Sequence, residues 1–95
     1  MAESTRLHDR HRRRVTARVL AFARLRELLG FGERRLDVPD GTTLDGVWSQ
    51  LAADAPQLAD LRASTRFARN GELAGGSTPV QDGDEIALLP PVGGG

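Results

Sequence analysis

The chain has 95 residues, enough for one small domain with a single modest core, and its 39% apolar and 27% charged content is ordinary for a globular protein. It has no cysteine and no lysine, which excludes disulfides, thiolate metal sites, cysteine nucleophiles, Walker-type phosphate loops and Schiff-base chemistry. The net charge of zero hides a split: residues 1–18 carry +4 and residues 19–95 carry −4, which argues against nucleic acid as the main partner and favours a protein with a basic docking face.

Residues 1–14 lack apolar periodicity and read as a disordered basic leader. His8 and His11 have no further ligands nearby, so no metal site is expected. The leader does not continue into an apolar segment, and no run approaches bilayer length. The expected location is the cytoplasm, with no membrane partner. From Val15 to Phe22 the pattern is strand-like, with Val15, Ala17, Val19 and Ala21 facing a core. Arg18, Leu20 and Phe22 fall on the other face by parity. Ala23 to Leu29 is a short helix that Gly30 caps, and Glu33 to Val38 is a second strand stopped by Pro39-Asp40-Gly41.

Thr42 is the predicted cap of the main helix, with Asp45 in a variant capping box. Leu44, Val47, Trp48 and Leu51 make one apolar stripe, and Trp48 within it reads as core. Pro56 ends the helix, and Gln57 to Leu61 add one further turn. After Thr65 the period returns to two, and Asn70-Gly71 signals a tight hairpin into a short strand. Gly75-Gly76 is a looser break and Gln81 to Asp84 another turn, before the last strand, Glu85 to Leu89. A single amphipathic helix on a mixed sheet of about five strands buries these faces economically. That is an α+β, β-grasp (ubiquitin-like) fold over residues 15–91, followed by a flexible glycine tail at 92–95.

Pro90 and Pro91 stop the strand and favour an extended exit. Val92, Gly93, Gly94 and Gly95 then reach roughly 13–14 Å, and glycines without Cβ suit a channel that admits only backbone. Such a tail presents a terminal carboxylate inside another protein. Parity puts Leu89, an apolar residue, on the polar face beside the tail, and Phe22 holds the same odd position in the first strand. Parallel pairing of first and last strands, as in a β-grasp, would join them into an exposed docking spot. The alternative is that both tuck under a loop or the short helix.

The stretches Val19-Leu20-Ala21-Phe22-Ala23 and Arg26-Glu27-Leu28-Leu29-Gly30 resemble the opening of MoaD-type proteins, the small subunits of molybdopterin synthase. The ending from Asp82 to Gly95, with Leu89-Pro90-Pro91-Val92-Gly93-Gly94-Gly95, resembles theirs more closely. The resemblance implies a sulfur carrier that is no enzyme alone and binds no resident cofactor. An adenylyltransferase of the ubiquitin-activating kind (MoeB-type) would use ATP to adenylate the Gly95 carboxylate. A sulfur donor would then make it a thiocarboxylate. The tail would enter a MoaE-type large subunit and pass sulfur to cyclic pyranopterin monophosphate. Phe22, Leu89, Pro90, Pro91, Val92 and Gly93 would contact the partner, and Gly94 and Gly95 would carry the chemistry. The leader and Gly93 depart from the common pattern, and Leu88-Leu89 replaces aromatic residues of some relatives. Related carriers for thiamine, cysteine or tRNA thiolation, a covalent protein modifier, and a plain binding module are the rival readings.

Overall fold

The computed structural model describes residues 13–91. Strand β1, Arg14–Ala21, begins one residue before the predicted start, and the Arg13 carbonyl accepts from Asp40 N at 3.1 Å. Val15, Ala17, Val19 and Ala21 are buried, as the alternation requires of a strand with one core face. Helix α1, Ala23–Leu29, stops at Gly30, whose left-handed φ of 83° lets its N–H reach the Arg26 carbonyl at 2.9 Å. Strand β2, Glu33–Pro39, returns antiparallel to β1 with Leu36 opposite Ala17.

Helix α2, Leu44–Asp54, supplies the opposing layer, with Leu44, Val47, Trp48 and Leu51 all buried against the sheet. The Trp48 ring meets Phe67 edge-on at 6.3 Å, joining the helix to the central strands. The N-cap corrects the sequence reading. Thr43, not Thr42, accepts from Gly46 N at 3.2 Å, while Thr42 donates its hydroxyl to the Pro39 carbonyl at 2.6 Å. Thr43 is held extended by an isolated bridge to Pro79, so the chain cannot enter the helix until the next residue. Asp45 does not complete a capping box among these contacts; Arg62 Nη2 lies 2.7 Å from its carboxylate. The single turn expected after Pro56 is instead a nine-residue 3-10 segment, Pro56–Ser64, pinned to the core by Leu58. Its last turn is secured by the Thr65 hydroxyl donating to the Leu61 carbonyl at 2.7 Å.

Strands β3, Arg66–Arg69, and β4, Glu72–Ala74, form the expected hairpin. Asn70 and Gly71 have φ of 52° and 86°, the double positive φ that matches the twist of paired strands. Strand β5, Glu85–Leu89, lies between β1 and β3, giving the order β2-β1-β5-β3-β4. The β1–β5 pair is parallel and the others are antiparallel, so the sheet is mixed. The turn before β5 is fixed by Asp84, which is buried and accepts from Gln81 N at 2.8 Å and Asn70 Nδ2 at 2.9 Å. The start of β5 is therefore locked to the β3–β4 hairpin, and its register sets where the tail departs.

Candidate docking face and carrier tail

The parallel register places Ala21 beside Leu88, so the next positions along the two strands are Phe22 and Leu89. Phe22 is extended (φ −128°, ψ 155°), and its carbonyl accepts from Leu25 N at 3.1 Å and Arg26 N at 3.3 Å. The backbone is thus anchored to the first turn of α1 while the side chain remains 44% exposed. Ala23 follows at φ 51°, a left-handed conformation that costs a non-glycine residue about 1 kcal/mol and marks the sharp turn after Phe22. Phe22 is therefore not covered by α1. Leu89 is half-buried, as is Pro90, and Pro91 is exposed. Val92, Gly93, Gly94 and Gly95 lie outside the described residues, as do His8, His11 and most of the expected leader.

The sheet register joins Leu20, outward by parity as expected, to residues that the sequence reading did not bring to this face. On the face away from α2, Leu20 stands beside Ala87, Ala87 opposite Ala68, and Ala68 opposite Leu73. This apolar row crosses four strands and ends at Leu73, which is 65% exposed. The signal was available: a two-residue hairpin at Asn70-Gly71 fixes which residue opposes Ala68. Only the strand neighbours were needed to extend the row through Ala87 to Leu20.

Charge surrounds this apolar strip unevenly. Away from the tail, Arg18 bonds to the Glu85 carboxylate and sits 3.5 Å from Glu33, crossing from β5 to β2. The Glu85 hydrogen bond, then the charges of Glu33 and Glu85, hold the Arg18 guanidinium pKa above its usual value. At the tail end the strand register instead puts Arg66 opposite Leu89. Among the described residues, no group of three or more His, Cys, Asp or Glu side chains is placed to hold a metal ion. Nor is any described helix long and apolar enough to cross a membrane.

A mixed sheet whose first and last strands pair in parallel at its interior, with one main helix packed across it and a Pro-Pro exit, defines a ubiquitin-like β-grasp protein. The fold superposes on ubiquitin from Caldiarchaeum subterraneum with a TM-score of 0.58 at 19% identity, covering 87% of this chain and 100% of that one. The profile of the ThiS family matches residues 19–95, and the chain belongs to that family, on its MoaD-type branch. It is 36% identical over 93 residues to the molybdopterin synthase sulfur carrier subunit of Arabidopsis thaliana, covering 98% of this chain and 97% of the plant protein. The crystal structure of small archaeal modifier protein 1 from Haloferax volcanii matches with a TM-score of 0.73 at 30% identity, over 82% of this chain and 99% of that one.

Proposed function

We infer that this chain is the sulfur-carrying small subunit of a molybdopterin synthase, and that the carboxylate of Gly95 carries the sulfur. The observation behind this reading is the junction of β5 with its tail. A strand locked at both sides ends in two prolines beside an exposed Phe22, and the family match continues through Gly95. Like the sulfur carrier subunits it resembles, the protein is no enzyme by itself, and its reactive group is made elsewhere.

The chemistry follows from the functional groups. A carboxylate is a poor electrophile because its oxygen is a poor leaving group. An adenylating partner of the ubiquitin-activating type joins the Gly95 carboxylate to AMP, releasing pyrophosphate from ATP. A sulfur donor displaces AMP and leaves a terminal thiocarboxylate, a competent sulfur nucleophile at neutral pH. The tail then enters the large subunit, where sulfur passes to cyclic pyranopterin monophosphate and the carboxylate is regenerated. With no cysteine in the chain, sulfur has no side chain on which to travel as a persulfide. The exposed Phe22, Leu73 and the half-buried Leu89 form the apolar face that seats the carrier while its tail is inserted. The setting is the cytoplasm.

The likeness to the archaeal modifier protein supports a second reading, in which the same activated terminus is joined to lysines of other proteins. Having no lysine, a modifier of this sequence could not be extended into chains through its own side chains. Intact-mass analysis after incubation with ATP, an activating enzyme and a sulfur source separates the two. A sulfur-for-oxygen exchange at Gly95 is expected for the carrier. Conjugates that survive reducing agent, without that exchange, would favour the modifier.

A further inference from the structure

Beside the tail root, on the β3–β4 side, lies an open cavity of about 380 Å³ walled by Arg62, Thr65, Arg66, Phe67, Leu73 and Gly75. Its two cations differ. The Arg62 guanidinium stacks 4.4 Å over the Phe67 ring and is tied to Asp45 through Nε at 2.8 Å and Nη2 at 2.7 Å. Its Nη1 donates to the Thr65 carbonyl at 3.1 Å, so both its charge and its orientation are taken up within the fold. Arg66 is exposed, shares the outward face with Leu89, and has no carboxylate within ion-pair distance among the described residues. Arg18 has two, and Arg62 and Arg69 have one each.

The acidic balance of residues 19–95 would by itself ask for a basic partner. Net charge, however, is averaged over the molecule, while a docked interface feels charges within a Debye length of about 8 Å. Among the described residues, the charge next to Leu89 that lacks an ion-pair partner is positive. We propose that Arg66 is an electrostatic anchor of the docking face: the protein that receives the tail places an Asp or Glu side chain in this cavity, against the Arg66 guanidinium. The planar guanidinium accommodates a carboxylate through two parallel N–H donors, and Leu73 in the cavity wall offers apolar area beside the pair. A multiply charged anion such as phosphate fits less well, because one free cation faces it and the Asp45 carboxylate stands nearby with Arg62. A single carboxylate matches a single guanidinium. Arg66, in the cavity wall, lies opposite Leu89 in the strand register, so one docked partner can meet both.

This inference rests on the sulfur-carrier reading of the tail. Its test is the association of the full chain with the molybdopterin synthase large subunit of the same organism, measured by stopped-flow and calorimetry at low and high salt. Arg66→Glu is expected to weaken binding about tenfold, mainly through a slower association rate. Arg66→Gln should fall between Arg66→Glu and the unaltered chain, and its association rate should depend less on salt than that of the unaltered chain. Melting temperatures should be unchanged, because the side chain is exposed. Reversing the facing acid on the large subunit to Arg should restore binding of Arg66→Glu. If both variants bind like the unaltered chain while Leu89→Asp does not, the docking face stands and the Arg66 anchor falls. If the unaltered chain does not bind at all, the carrier reading fails, and this inference with it.

Discussion

Leu88 and Leu89 are adjacent in one strand and differ in everything that matters for their roles. Leu88 is fully buried, opposite Phe67 and beside Ala21 in the core layer that α2 closes. Leu89 is half-buried on the opposite face, beside Phe22 and opposite Arg66, where no described helix lies over it. The side chains are identical, so composition cannot account for the contrast. The pleat does, because successive residues in a strand point to opposite faces. One face is committed to stability, and the other leaves apolar area uncovered.

That contrast can be broken in order of effect. Removal of Gly94 and Gly95 should reduce sulfur transfer on the order of 10³-fold or more, since the reacting group is no longer positioned. The melting temperature should hold, and a joint fall in melting temperature and activity would show that the tail belongs to the fold. Leu88→Ala should lower unfolding free energy by about 2–5 kcal/mol in a denaturant titration, whereas Leu89→Ala should cost less than about 1 kcal/mol. Equal losses would erase the distinction between the two faces. Phe22→Asp should weaken binding of the large subunit about tenfold or more with little change in stability. Unchanged affinity with a large drop in melting temperature would make Phe22 a core residue despite its exposure. Thr43→Ala should cost about 1 kcal/mol through loss of the helix cap, with Thr43→Ser close to neutral by thermal melting.

Much of the fold was legible from local rules. The alternation from Val15 to Ala21 marked a half-buried strand, and α1 spans the predicted residues because Gly30 can adopt the left-handed cap. Asn70-Gly71 signalled the hairpin for the same conformational reason. The misses came where a distant segment decided. Thr42 and Thr43 are equivalent as sequence-level caps, and the strand-like bridge from Thr43 to Pro79 chooses between them. The 3-10 segment carries little apolar periodicity beyond Leu58, so nothing in its pattern announced nine residues. In the candidate site, the outward positions of Phe22 and Leu89 were readable by parity. The contribution of Leu73 and Arg66 required knowing that β3 lies beside β5.

By itself, the sequence determined the strands and the two α-helices, their core-facing sides and the chemistry open to the chain. Period, turn residues and the absence of cysteine and lysine are properties of short stretches or of composition. Only the tertiary structure decided which strands became neighbours, which threonine caps α2, and which charge stands at the tail root. Those outcomes depend on contacts between residues far apart in the chain, and many pairings are compatible with the same local pattern until packing against α2 selects one.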